Sequence, residues 1–229
     1  CTPVFVDIDP DTLCLDPDLI ENAITENTVA IMPTHVYGIP CDVERIQAVA
    51  DRCGLKVIYD AAHTFGVQYK GTSLLNFGDC STLSFHATKL FHTVEGGAIV
   101  TSDDEVAHRI EYMRNFGHKG QEDFWGLGIN GKNSEMHAAM GLAVLPHVAD
   151  LIERRMQICD LYDSLLEPLS ISRPVVPEHT IYNYSYYPVL FESESILENI
   201  VNALHEKEIY PRRYFYPSLN TLPYVQKTT

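Results

Sequence analysis

Up to residue 60 the chain alternates continuous apolar runs with helix-patterned segments, and this alternation constrains the fold more than any other feature. "PVFVDID", "TVAIMP" and "LKVIYD" read as strands, while "PDLIENAI" and "DVERIQAVADRCG" between them carry apolar residues at helical spacing. Strands that are apolar along their whole length are covered on both faces, which is the condition of a parallel sheet flanked by helices. "STLSF" and "GGAIVTS" add two further strands. The expected class is therefore α/β, with a mostly parallel mixed sheet between helices.

Local signals mark the boundaries. Asp16 is placed to cap a helix with Pro17 at its first position, and Gly54 is placed to end the next. Ser102 or Asp103 caps a helix over "DDEVAHRIEYMRNFG", and the Gly-rich, aromatic loop after it, with the lone Trp125, reads as a functional excursion. A long helical pattern from Ser134 runs through Leu166, bent near Pro146. Beyond Leu169 a strand "YSYYPVLF" and a helix "SILENIVNALHEKE" form an α/β pattern of their own. Residues 1–168 are accordingly expected to form a large domain and residues 169–229 a small one.

The balance of 31 acidic against 16 basic residues, a formal charge of −15, argues against nucleic-acid and anionic-membrane binding, which need clustered Lys and Arg. Any anionic ligand must be held locally. The six cysteines, Cys1, Cys14, Cys41, Cys53, Cys80 and Cys159, show no C-x-x-C spacing and read as reduced thiols of a cytoplasmic protein. No apolar run is long enough to span a membrane.

In a parallel sheet, ligands gather at the carboxyl ends of the strands. That rule brings together His35 and Tyr37, Asp60 and His63, and the crowded "LSFHATKLFHTVEGGAIV" around Lys89. Taken singly, Asp60 could be a helix cap and Lys89 a solvated loop residue. Taken together, at the ends of neighbouring strands, they offer the amine and the carboxylate that pyridoxal phosphate requires: a lysine for its aldehyde and an acid that keeps its pyridine nitrogen protonated. A hydroxyl such as Ser84 could then hold its phosphate. His86 and His92 flank the lysine, but no metal-ligand spacing supports a metal site, and none is expected. His35 reads equally as a core histidine or as a neighbour of cofactor or sugar. "YNYSYYP" reads as core. "PRRYFYP" places Arg212, Arg213, Tyr214 and Tyr216 together, where an arginine could meet a diphosphate or a carboxylate, or form an inter-domain salt bridge.

"PVFVDID", "HVYG", "DAAH", "SFHATK" followed by "EGGAIVT", and "GINGKNSEMHAAMGL" occur in an order and spacing that resembles the DegT/StrS-type sugar aminotransferases. These are pyridoxal-phosphate enzymes of the aspartate-aminotransferase fold, fold type I, that aminate nucleotide-linked ketosugars. The resemblance implies that Lys89 forms the Schiff base and shuttles the substrate proton, that Asp60 pairs with the pyridinium nitrogen and that Ser84 binds phosphate. It implies that Asn130 reaches the cofactor phosphate of the neighbouring subunit in a homodimer. His63 stands where the family commonly has Gln, near the cofactor's 3′-oxygen. His35, Tyr37, His86, Arg212 and Tyr214 are the implied substrate-side candidates. The resemblance also implies a segment ahead of "PVFVDID" that supplies a phosphate-binding loop and a ring-stacking aromatic, and a continuation past "LPYV".

Within the family, relatives that dehydrate sugars replace the lysine by histidine, so Lys89 implies transamination. "SFHATK" with "EGG" resembles enzymes that aminate C4 of a dTDP-4-keto-6-deoxyhexose, with glutamate as donor and dTDP-4-amino-4,6-dideoxyglucose as product, in the setting of O-antigen or other surface-polysaccharide synthesis. A 3-aminotransferase, an amino-acid transaminase or a dehydratase on the same fold, and a non-catalytic relative, are the alternatives.

Overall fold

The computed structural model describes residues 1–169 and 171–227. Helix α1 (Pro17–Ala23) starts where the Asp16 side chain accepts the Asp18 N–H and Pro17 fills the first turn. Strand β1 (Ala30–Ile31) follows, then a 3-10 turn (Val36–Gly38) and helix α2 (Val43–Cys53). Asp42 caps α2 by accepting the Arg45 N–H, and Gly54 ends it at φ 65°. The apolar spacing seals the inner face of α2: Val43, Ile46, Val49 and Ala50 are all buried.

That face lies on strand β2 (Lys56–Asp60), in which Val57 and Tyr59 have no exposed surface. A small ribbon, β3 (Gln68–Tyr69) and β4 (Thr72–Ser73), leads to β5 (Cys80–Ser84), and β6 (Gly97–Val100) returns beside it. The central sheet has the order β1-β2-β5-β6, its first two pairs parallel and the last antiparallel. The expected mixed, mostly parallel arrangement is what forms. The close return of β6 depends on glycine: a Cβ on Gly97 would stand 2.6 Å from the Leu83 carbonyl.

Helix α3 (Asp104–Met113), capped by Asp103, precedes a two-stranded excursion, β7 (His118–Lys119) and β8 (Asp123–Phe124). Helix α4 (Glu135–Val144) passes through a 3-10 turn (Leu145–His147) into α5 (Val148–Leu166), so the bend falls at Pro146, which has no N–H for a helical bond. Strand β9 (Thr180–Ile181) pairs with β3, and helix α6 (Glu194–His205) follows.

Three expected strands are shorter or absent. "PVFVDID" forms only an isolated bridge from Ile8 to Leu15, because among the described residues no neighbouring strand lies alongside it to complete a ladder. "TVAIMP" is reduced to the two residues of β1. "YSYYPVLF" forms no strand: Ser185 and Tyr186 line the site below, Tyr187 packs on Tyr162 and donates to Asp163, and one bridge joins Leu190 to Ser172.

Candidate active site

Register fixes the first pair of residues. Because Asp60 lies opposite Thr82 in the β2–β5 ladder, the carboxylate closing β2 and the loop leaving β5 at Ser84 open on the same end of the sheet. Asp60 is tied into the end of β2 by its backbone: its N–H donates to the Pro33 carbonyl, and its carbonyl accepts the His35 N–H. Its Oδ1 accepts the Ala62 N–H at 3.0 Å, and Oδ2 makes no hydrogen bond among the described residues. The β5–β6 loop turns back so that Lys89 N–H donates to the His86 carbonyl, bringing Lys89 over the same end.

A small cavity lies there, lined among others by His63, Ser84, Thr88, Lys89 and Tyr186. The Lys89 amine is half-buried and makes no hydrogen bond or ion pair among the described residues. Burial pushes its pKa down; the Asp60 carboxylate opposes this, and the Arg212 guanidinium adds to it. The site therefore raises the share of neutral, nucleophilic amine at neutral pH.

His63 sits beneath the cavity. Its Nδ1 accepts the Tyr37 N–H at 3.0 Å, which leaves Nε2 to carry the proton of the neutral ring. Burial, and then the Lys89 charge, lower its pKa to about 4, so the ring is neutral at pH 7. Around it stand Tyr186 at 4.6 Å between centroids and Phe215 at 6.2 Å, and Tyr37 packs against Tyr186 and Tyr214. Tyr37, at φ 57°, holds a left-handed backbone that fixes its ring beside His63. Burial raises the pKa values of Tyr37 and Tyr186, keeping both phenols protonated.

The "YNYSYY" run, read as core from sequence, is what fastens this end of the sheet. Asn183 is fully buried; its Nδ2 donates to the carbonyls of His63 at 2.8 Å and Phe65 at 3.0 Å, while the Tyr182 hydroxyl donates to the Tyr37 carbonyl at 2.7 Å. Tyr182 and Asn183 do belong to the core, but Tyr186 lines the cavity and was missed. The available signal was the buried-type Asn set among aromatics, since a side-chain amide inside apolar residues needs backbone partners.

Other candidates fall elsewhere. His35 has no exposed surface: its ring stacks on Tyr59 at 4.5 Å, its Nδ1 accepts the Cys41 N–H, and burial lowers its pKa to about 3. With the ring enclosed, it cannot touch substrate, and the core reading of His35 is the one that holds. His86 is exposed and turned aside, with Nδ1 2.9 Å from the Thr88 hydroxyl and Nε2 3.7 Å from Glu95. Asn130 lies in the exposed loop, its Oδ1 accepting from Lys132, and does not line the Lys89 cavity. Arg212 stacks over Tyr214 at 4.9 Å. No group of three or more metal-ligating side chains converges among the described residues.

The donor set fits pyridoxal phosphate. An unpartnered amine of lowered pKa shares a cavity with Ser84 and with His63, whose Nε2 carries the proton, and the Asp60 carboxylate within electrostatic reach has an oxygen left open to an N–H.

The profile of the DegT/DnrJ/EryC1/StrS aminotransferase family matches residues 1–229. A dTDP-4-amino-4,6-dideoxy-D-glucose transaminase of Shigella dysenteriae is 47% identical over 218 residues, 94% of this chain and 59% of the relative. A GDP-perosamine synthase of Escherichia coli O157:H7 is 37% identical over 97% of this chain and 61% of its own length. The crystal structure of DesI in the presence of its TDP-sugar product superposes with a TM-score of 0.90 at 36% identity, covering 97% of this chain and 58% of that one. The PLP form of the sugar aminotransferase Spr1654 from Streptococcus pneumoniae gives 0.91 at 28% identity, covering 99% of this chain and 64% of that one. The chain thus spans about three-fifths of the length of the curated relatives it matches, and its fold is that of the two solved structures.

Proposed function

The chain belongs to the DegT/DnrJ/EryC1/StrS aminotransferase family, and on that premise we propose that it carries the Lys89 site of a pyridoxal-phosphate-dependent sugar aminotransferase. The substrate we assign is a dTDP-linked 4-keto-6-deoxyhexose, with glutamate as amino donor and a dTDP-4-amino-4,6-dideoxyhexose as product. The observation that carries the reading is the convergence of the unpartnered Lys89 amine and the Asp60 carboxylate at the ends of adjacent strands. Pyridoxal phosphate, when bound, supplies an aldehyde that condenses with amines and a ring that accepts the electrons of a neighbouring C–H bond.

The residues divide that work. Lys89 Nζ takes and returns the substrate proton; its unprotonated form is favoured by burial. Asp60 Oδ2 would accept the ring N–H, and Ser84 Oγ would donate to the phosphate. The His63 Nε2–H, its ring held by the Tyr37 N–H on Nδ1, would donate to the ring oxygen. Tyr37 and Tyr214, which pack against the cavity-lining Tyr186, are the substrate-side candidates, whereas His86 is engaged with Thr88 and Glu95. We assign the cofactor to the unit of residues 1–168 and treat 169–229 as a smaller unit, whose strand β9 pairs with β3 of the first.

The partner is a second copy of the chain. Leu127 and Ile129 in the loop that carries Asn130, and Met136 and Leu142 in α4 after it, expose 92%, 71%, 80% and 72% of their surface, and this exposed apolar segment supports a subunit interface through which Asn130 reaches the other site. No helix among the described residues is long and apolar enough to cross a membrane, and we place the enzyme in the cytoplasm, serving surface-polysaccharide synthesis.

The test is spectroscopic. The full chain with pyridoxal phosphate should absorb in the visible, lose that band on adding glutamate, and never show it as Lys89→Ala. An unchanged spectrum in Lys89→Ala would overturn the assignment. The similarity to a GDP-perosamine synthase makes the GDP-linked ketosugar the second substrate to assay, and preferential turnover of it would replace dTDP by GDP.

A further inference from the structure

Tyr186 enters the lining of the Lys89 cavity from a stretch that forms no strand, and a backbone without a ladder has its course set by other bonds. Helix α5 supplies two of them, one on each side of Tyr186. Before it, Arg155 Nη1 donates to the Ser185 carbonyl at 3.0 Å. After it, the Tyr187 hydroxyl donates to Asp163 Oδ1 at 2.7 Å, with the Tyr187 ring packed on Tyr162 at 4.8 Å and under the Arg173 guanidinium at 3.9 Å. Arg155 and Asp163 stand about two turns apart on the helix. Arg155 is partly buried, and the bond to Ser185 is its one hydrogen bond or ion pair among the described residues. Its neighbour Arg154 is exposed and donates to Gln157. A guanidinium set on a main-chain carbonyl, with no carboxylate beside it, holds backbone rather than balancing charge.

We propose that Arg155 and Asp163 are positioning residues: a clamp on α5 that holds the main chain at Ser185 and Tyr187 so that the Tyr186 ring walls in the Lys89 amine. The inference rests on the reading of the Lys89 cavity given above. The Tyr186 ring is 4.6 Å from that of His63 and 5.4 Å from that of Tyr37, so a displacement of its backbone passes directly into the cavity lining. A tyrosine has few torsions with which to compensate, and its ring follows its Cα. Released from Arg155, the Ser185 carbonyl has no other donor among the described residues and turns to water, which then enters beside the amine. The clamp also joins the two units, since α5 belongs to the first and the stretch it holds to the second. Loss of a merely stabilising bond would lower resistance to unfolding and leave the surroundings of the amine as they were.

Amine acylation of the full chain without cofactor, read by mass spectrometry across a pH series, tests this. Burial holds the Lys89 pKa down, so when the wall loosens the midpoint of Lys89 labelling should rise by about half a pH unit or more in Arg155→Met. Arg154→Met, which loses the same charge from an exposed position, should match the parent. Tyr187→Phe, which removes the second anchor, should move the midpoint the same way by less. Adding Arg155→Met to Tyr186→Ala should move it no further, because the ring through which Arg155 acts is gone; a direct effect of the guanidinium charge on the amine would persist there. An unmoved midpoint in folded Arg155→Met, an equal rise in Arg154→Met, or the same rise with and without Tyr186 would each overturn the proposal. If Arg155→Met does not fold, Tyr187→Phe decides, and an unmoved midpoint in it overturns the clamp. The visible band formed on adding pyridoxal phosphate is read on the same samples. Its absence in the parent sinks the reading of the Lys89 site, whereas its presence with an unmoved midpoint in the variants sinks only the clamp.

Discussion

The Tyr37 N–H donates to Nδ1 of His63 at 3.0 Å, joining two loops 26 residues apart in the chain. The bond exists only while Nδ1 is unprotonated, so it makes the end of the sheet pH-sensitive. His63 titrates in the fold near 4 and His35 near 3, both below the unfolded value of about 6.5. A base whose folded pKa is depressed contributes stability that is complete above the unfolded pKa and is lost as pH falls toward the folded one. Resistance to urea, followed by far-UV circular dichroism, should therefore decline from pH 6.5 toward pH 4. His63→Gln keeps an acceptor for Tyr37 without a titration, and should reduce that slope by up to about 1.4 kcal/mol per pH unit. A slope identical to that of the parent would contradict the neutral buried ring.

Asn183 holds two carbonyls of the loop that presents His63, and nothing else among the described residues replaces those donors. Asn183→Ala leaves both carbonyls buried and unpaired, which should cost about 2–4 kcal/mol in urea unfolding. The same change should weaken pyridoxal phosphate binding, since the aim of His63 depends on that loop. A loss under about 0.5 kcal/mol would show that water replaces the amide.

Gly38 has φ 88°, and a Cβ there would lie 2.8 Å from the His63 carbonyl and 3.1 Å from Asn183 Oδ1. Gly38→Ala combines backbone strain with a clash against fixed atoms and should destabilise by about 2 kcal/mol or more. Gly54→Ala is the control: it has a positive φ of 65° but nothing within 4 Å, so it should cost only about 1 kcal/mol. Equal losses in the two variants would place the whole effect in the backbone.

Burial lowers the Lys89 pKa, whereas the carboxylates paired with Lys56 and Lys70 raise theirs. In a pH series of amine acylation read by mass spectrometry, Lys89 should therefore become reactive at a lower pH than Lys56 or Lys70. Added pyridoxal phosphate should protect Lys89 alone. Labelling in the reverse order would show that the Asp60 charge outweighs burial.

Much of the frame was legible in the chain. The apolar spacing of Val43, Ile46, Val49 and Ala50, the caps at Asp16 and Gly54, and the break at Pro146 act within a few residues, and sequence reports such interactions directly. The succession of strand ends at Asp60 and Ser84 followed from the α/β alternation, and with it the meeting of carboxylate, hydroxyl and lysine. Strand length was less legible, because "PVFVDID" and "YSYYPVLF" have strand-like composition but a strand also needs a neighbour, which composition does not report.

The sequence by itself determined which chemical groups this protein possesses and, through short-range periodicity and the strand-end rule, that Asp60 and Lys89 lie at one end of the sheet. Only the tertiary structure decided which of the remaining groups join them. It buried His35 against Tyr59, brought Tyr186 beside His63 from more than a hundred residues downstream, and separated Arg212 from the carboxylates that hold Arg213. The reason is physical: burial and long-range pairing depend on how whole elements pack, and two neighbouring residues of the same type can end in opposite electrostatic surroundings.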